Sequence, residues 1–143
     1  MNIFTIGFAQ KSAENFFTLL TNNKVKKLID IRLNNKSQLA GFANAKHLPY
    51  FLKLHGIDYD YKPELAPTKE LLNGYKNKEV DWQEYENVYN KILLDRDILN
   101  TISIIELKNS VLLCSEPTAE QCHRRLAAEY LVNSSNNIKI KHL

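Results

Sequence analysis

Residues 111–131 decide the fold of this chain, and they read VLLCSEPTAEQCHRRLAAEYL. The apolar run at residues 111–114 predicts a buried strand, and residues 118–132 predict a long helix whose capping box is Thr118 with Gln121. α/β proteins bind their ligands at strand–loop–helix junctions of this kind. The junction carries both cysteines of the chain, a histidine, two arginines and two glutamates. We therefore expect the chemistry of the protein to be located here.

The rest of the chain also alternates between strand and helix patterns. Further strands are predicted at residues 2–6, 27–32, 57–61 and 138–142, and further helices at 13–21, 46–55, 81–92 and 97–107. Residues 63–67 and 73–80 are predicted to be loops, the second either a lid or a surface connection. Alternating elements predict a single α/β domain over residues 1–143, with a mainly parallel sheet of about five strands and helices on both faces.

Composition and charge narrow the class of protein. The 143 residues include 44% hydrophobic and 24% charged residues, which is typical of a globular domain. The net charge of +3 permits an anionic partner but is far below the basic excess of a dedicated nucleic-acid binder. No run approaches the roughly 18 apolar residues of a membrane span, and no secretory signal is visible. These features predict a cytoplasmic protein with reduced cysteines and no membrane association.

Several polar residues follow the predicted strands at the edge where the carboxyl ends of parallel strands meet. Asp30 and Arg32 are two apart and project to the same face, so Arg32 either binds a phosphate or carboxylate or only tethers a loop through its ion pair. Ser37 adds a hydroxyl in the following loop, and Glu64 follows the third strand. The predicted ligand-binding residues are Asp30, Arg32, Ser37, Glu64 and Arg124.

The predicted catalytic residues are Cys114, Glu116 and His123. A thiol near a helix N-terminus and beside arginines can act as a nucleophile, with Cys122 as its resolving partner, although a cysteine that ends a buried strand is usually a small apolar residue of the core. His123 lies on the predicted sheet-facing side of its helix, where it serves either as a catalyst or as a hydrogen-bonded core residue. Glu116 is a candidate general acid or base.

Two known chemistries are disfavoured by spacing. Cysteine phosphatases place an arginine six positions after the nucleophile, and here that position holds Glu120, which would repel phosphate. A zinc site lacks the usual ligand spacings, because no C-x-x-C pair exists and neighbouring Cys122 and His123 would diverge on a helix. We therefore predict no metal and no cofactor.

The chain resembles the domain of unknown function 488 family along nearly its whole length. The motifs that carry the resemblance are Thr5-Ile6-Gly7, Asp30-Ile31-Arg32, Ser37 with Gly41-Phe42, Pro63-Glu64-Leu65, Cys114-x-Glu116 with Cys122-His123-Arg124, and His142-Leu143. The family usually has a proline in the loop after Asp-x-Arg, where Asn35 stands here, so this loop is expected to be looser. The resemblance implies a compact α/β fold and a shared polar cleft, and it supplies no activity.

These patterns support two hypotheses about function. In the first, the cleft at the strand ends binds a phosphorylated or other anionic ligand, such as a nucleotide or nucleic acid, with acid/base or thiol catalysis as its chemistry. In the second, the protein is a non-catalytic interaction module, and its Cys, His, Arg and Asp residues form a structural lock.

Overall fold

The computed structural model describes residues 1–36, 41–116, 118–133 and 137–143. These residues form a parallel sheet in the strand order β3-β2-β4-β1-β5. The five strands are β1 (Asn2–Gly7), β2 (Lys27–Asp30), β3 (Asp58–Tyr61), β4 (Ser110–Cys114) and β5 (Lys139–His142). Because every strand runs in the same direction, the carboxyl ends of all five lie at one edge, as the sequence predicted.

Helices connect the strands and cover both faces of the sheet. The described residues form α1 (Ala13–Asn22), α2 (Leu48–Leu54), α3 (Lys69–Lys76), α4 (Trp82–Asp95), α5 (Ile98–Thr101) and α6 (His123–Val132). Short 3-10 turns occur at Gly41–Ala43, Pro63–Leu65 and Ile104–Leu107. The side chains of Ser12, Thr68 and Asp81 accept backbone N–H groups at the starts of α1, α3 and α4, so local sequence sets where these helices begin.

Two apolar cores lie on opposite faces of the sheet. Residues alternate along each strand, so Leu28 and Leu113 belong to the core beneath α1 and α2, whereas Ile29 and Leu112 belong to the core beneath α4 and α6. All four side chains are fully buried. Burial on both faces explains why these strands are continuous apolar runs rather than alternating ones.

Three predicted elements differ from the structure. The predicted helix at 118–132 begins only at His123, because residues 118–122 form turns and Cys122 is an extended N-cap. The predicted helix at 97–107 is broken by extended Ile102 into α5 and a 3-10 turn. Helix α3 replaces part of the loop predicted at 73–80, and the signal that was missed is the Thr68 cap directly after Pro67.

No helix in the described ranges combines the length and the apolar character needed to cross a bilayer.

Candidate functional site

A cavity of about 900 Å³ lies at the carboxyl ends of the central strands. Residues that end or follow β1, β2 and β4 form one wall, which is polar apart from Phe8: Phe8, Arg32, Asn34, Cys114, Ser115 and Glu116. Side chains on and beside α3 and α4 add an apolar wall that includes Leu72, Tyr75, Trp82 and Tyr85. The volume lies within the range of about 300–1,000 Å³ that small-molecule sites occupy.

The His123 side chain contacts both the backbone at the sheet edge and the thiol of Cys114. Its Nε2 lies 2.8 Å from the carbonyl oxygen of Ile31, and its Nδ1 lies 3.4 Å from Sγ of Cys114. A carbonyl oxygen can only accept, so Nε2 carries a proton and Nδ1 of the neutral ring is an acceptor. The ring of Tyr89 packs edge-on against the imidazole, with 5.8 Å between centroids. His123 is therefore held with Nδ1 in position to receive the thiol proton of Cys114.

The two cysteine side chains are hydrogen-bonded to each other, and their pKa values are shifted in opposite directions. Burial raises the pKa of Cys114, but hydrogen bonds from the Cys122 thiol and from the backbone N–H groups of Ser115 and Glu116, with the charge of Arg124, bring this pKa below its ordinary value. The hydrogen bond to Cys114 and burial raise the pKa of Cys122 well above its ordinary value. The pair therefore favours a thiolate at Cys114 and a protonated thiol at Cys122.

Arg124 lies completely buried behind the cysteine loop. Its Nη1 donates to the carbonyl oxygen of Glu116 at 2.5 Å, and its Nε donates to the hydroxyl of Thr5 at 3.3 Å. Within the described part of the chain, its guanidinium forms no ion pair with a carboxylate. The charge of this buried guanidinium contributes to the lowered pKa of Cys114.

Gly7 makes the position of Arg124 sterically feasible. A Cβ atom at Gly7 would lie 1.6 Å from the carbonyl oxygen of Glu116 and 2.4 Å from Nη1 of Arg124. Both distances are far inside van der Waals contact. The Gly of the Thr5-Ile6-Gly7 motif is therefore explained by close approach to the loop after β4.

Asp30 and Arg32 form a buried ion pair on the other side of the sheet edge. Nε and Nη2 of Arg32 each donate to one oxygen of Asp30 at 2.8 Å, and the Tyr59 hydroxyl donates to Oδ2 at 2.7 Å. The guanidinium also lies 5.5 Å from the ring centre of Phe8 and lines the cavity. The pair therefore tethers the loop after β2 and also orients Arg32 in the cavity wall, so the two predicted roles do not exclude each other.

The structure brings together only some of the predicted site residues. The cavity wall contains Arg32, Cys114, Glu116 and His123. Asp30 acts behind this wall through Arg32, and Arg124 acts behind it through the Glu116 carbonyl. Glu64 does not line the cavity, and its carbonyl oxygen accepts a hydrogen bond from Arg96 instead. Ser37 lies outside the described residues.

Sequence reasoning missed the aromatic part of the wall. Trp82 and Tyr85 stack with centroids 5.0 Å apart, and the ring of Tyr75 meets the Trp82 ring at 61°. The spacing of Trp82, Tyr85 and Tyr89 predicted only the apolar face of a helix. This face extends past the sheet edge and lines the cavity because of where α4 packs on the sheet. Local periodicity cannot predict that position.

Cys122 and His123 were expected to diverge on a helix, and this expectation was wrong because Cys122 precedes the helix. The ligand atoms of Cys114, Cys122 and His123 all lie within 4.8 Å of one another, so these three could hold a soft metal ion. The neighbouring charge of Arg124, however, opposes a second cation beside Cys114.

Comparison with known protein families gave a match over most of the chain. The family model described as "Domain of unknown function DUF488" matches residues 12–131. No curated protein and no solved structure matched the chain.

We predict that Gly7→Ala destabilises the protein by about 3 kcal/mol or more, because the added methyl group must displace the Glu116 carbonyl or the buried Arg124. Gly41→Ala is the matched control, since no atom lies within 4 Å of its added Cβ, and its effect should stay within about 0.5 kcal/mol. Urea unfolding of both variants measures the difference. Equal stabilities would contradict the close approach at Gly7.

Proposed function

The chain belongs to the DUF488 family, and from its site we propose that it is a thiol-dependent enzyme acting on a small anionic substrate. Cys114 is the nucleophile, His123 is its base, and Arg32 binds the anionic group of the substrate. Glu116, exposed at the cavity wall, is a second group able to donate or accept a proton there.

The observation that carries this proposal is the contact between Cys114 and His123 in the wall of a cavity. Nucleophilic catalysis needs a thiol, a base within reach and a third group that orients the base, and the Ile31 carbonyl is that third group. In the proposed reaction, Nδ1 takes the proton of Cys114, and Sγ then attacks the substrate. The proton returns from Nδ1 to the leaving group.

Arg32 supports an anionic substrate. The chain lacks the arginine that cysteine phosphatases place six positions after the nucleophile, because Glu120 stands there, but Arg32 lines the same cavity from the loop after β2. Asp30 uses the Nε and Nη2 edge of the guanidinium, so the remaining Nη1 can donate to a carboxylate or a phosphate. The size of the cavity favours a small molecule, up to a nucleotide, over a nucleic-acid strand.

A second candidate function is the non-catalytic module. It is favoured by the hydrogen bonds that Arg124 and His123 make to the backbone at Glu116 and Ile31, since a purely structural lock requires such bonds. In that case the thiols would have no more reactivity than buried cysteines of a core.

We predict that Cys114 is alkylated by iodoacetamide about tenfold or more faster than Cys122 in the folded protein. The lowered pKa of Cys114 leaves its thiolate present to lower pH, so the alkylation rate should rise with a midpoint below that of free cysteine. The charged and titratable groups around this thiol are His123 and Arg124 on α6, Tyr85 and Tyr89 on α4, and Cys122.

Mass spectrometry of the labelled peptides measures the two rates, with Cys122→Ser as the variant that isolates Cys114. If Cys114 reacts no faster than the same cysteine in the urea-unfolded chain, it is not an activated nucleophile.

We further predict that Cys114 prefers iodoacetate over iodoacetamide, relative to free cysteine, because Arg32 attracts the carboxylate. Arg32→Lys should reduce this preference about tenfold, since an ammonium ion cannot reproduce the planar fork while still pairing with Asp30. The rate with iodoacetamide serves as the internal control and should change little. An unchanged ratio in Arg32→Lys would remove Arg32 from the anion site while leaving the nucleophile intact.

Arg124→Met separates the two candidate functions. Loss of the buried charge and its hydrogen bonds should destabilise the protein by about 3 kcal/mol. If Arg124 also supports the thiolate, the alkylation midpoint of the folded variant should move to higher pH. A fall in stability with no movement of the midpoint would favour the structural lock.

A further inference from the structure

We infer that Cys122 is the resolving thiol of a two-thiol reaction, in which this site reduces a small disulfide that carries an anionic group. The inference rests on the proposed function, because Cys114 must first act as the nucleophile.

The first support is the position of Cys122. Its Sγ lies within 4.8 Å of Sγ of Cys114, and both cysteines line the same cavity. Both are free thiols and both are almost completely buried. They are therefore close enough to form a disulfide after a short movement, since the two sulfurs of a disulfide lie about 2 Å apart.

The second support is the backbone around Cys122. It occupies the N-cap of α6 in extended conformation, yet its side chain makes no capping hydrogen bond and lies toward Cys114 instead. Residues 118–122 belong to no helix or strand, although the carbonyl oxygen of Cys122 accepts the backbone N–H of Arg125 in the first turn of α6. A rotation of the Cys122 side chain leaves this hydrogen bond in place. In the described structure, Gln121 in this segment accepts one hydrogen bond from Tyr75 at the cavity.

The third support is the division of labour between the thiols. A two-thiol site works when one sulfur is a thiolate that attacks and the other stays protonated until an adduct has formed. The pKa of Cys114 is lowered and that of Cys122 is raised, in keeping with this order. His123 Nδ1 lies beside both sulfurs and is the group that can take the proton of Cys122 in the second step.

Thiol–disulfide exchange at this site takes two steps. Once Nδ1 of His123 has taken the thiol proton, Sγ of Cys114 attacks one sulfur of the substrate R–S–S–R and forms a Cys114–S–S–R bond, and the other half of the substrate leaves as RSH with the proton from Nδ1. Cys122 then loses its proton to His123, attacks Sγ of Cys114 and releases the second half of the substrate as RSH with that proton, as a disulfide forms between Cys114 and Cys122. The substrate gains two electrons and the protein loses two. A low-molecular-weight thiol returns the protein to its reduced form.

The cavity suggests the class of disulfide. Arg32 is placed to bind a carboxylate, and Tyr75, Trp82 and Tyr85 offer an apolar wall for the body of the molecule. A small aromatic or aliphatic disulfide with a carboxylate matches both parts of this wall.

The test uses dithiobis(nitrobenzoate), an aromatic disulfide with carboxylates that releases a coloured thiol at each step. The wild-type protein is expected to release two equivalents and to end without an adduct, two hydrogens lighter by mass spectrometry. Cys122→Ser is expected to release one equivalent and to keep a stable nitrobenzoate adduct on Cys114. Cys114→Ser is expected to react at least about tenfold more slowly than Cys122→Ser.

The outcomes separate the inference from the proposed function. If the wild type keeps an adduct on Cys114 beside a free Cys122, the resolving role fails, although Cys114 is still shown to be a nucleophile. In the Cys122→Ser variant, Cys114 is the remaining thiol. If it forms no nitrobenzoate adduct and is alkylated no faster in the folded variant than in the unfolded one, the proposed function fails as well. Equal rates for the two single variants would also overturn the inference.

Discussion

The buried guanidinium of Arg124 is the constraint on which the rest of the site depends. A cation without solvent needs hydrogen-bond acceptors, and this one uses the Thr5 hydroxyl and the Glu116 carbonyl, while its charge helps to lower the pKa of Cys114. These contacts bind α6 to β1 and to the loop after β4. Gly7 leaves room for them, because any side chain there would occupy the same space. The Cys-x-Glu and Cys-His-Arg motifs therefore contact each other, through the hydrogen bond from Arg124 to the Glu116 carbonyl.

The cavity joins the two faces of the sheet at its edge. Asp30 and Tyr59 lie on the α1–α2 side of the sheet with Leu28. Cys114 is two residues after Leu112 in β4 and therefore lies with it on the α4–α6 side. The Ile31 carbonyl connects them, since it accepts from His123 between Asp30 and Arg32 in the chain. A ligand bound at Arg32 would therefore be adjacent to the thiol without either group having to leave its own side of the sheet.

Local patterns predicted what depends on periodicity and spacing. The parallel sheet and the helices on both faces were recovered, because buried strands and amphipathic helices carry short-range signals. The bidentate pair of Asp30 with Arg32 follows from their two-residue spacing. The predicted start of α6 was wrong, because Thr118 and Gln121 resemble a capping box. Nothing in the local sequence shows that Cys122 contacts Cys114 ahead of the helix.

The sequence by itself determined the class of fold, the edge at which polar groups gather, and the family, because these follow from residue order alone. Only the tertiary structure decided which of those groups share a cavity. It placed Arg124 behind the wall and Glu64 away from it, and it added Trp82 and Tyr85 from a helix some thirty residues earlier in the chain than Cys114. The physical reason is that the roles of Arg124, Cys114 and Cys122 depend on burial and on contacts between distant segments, and neither is encoded in local spacing.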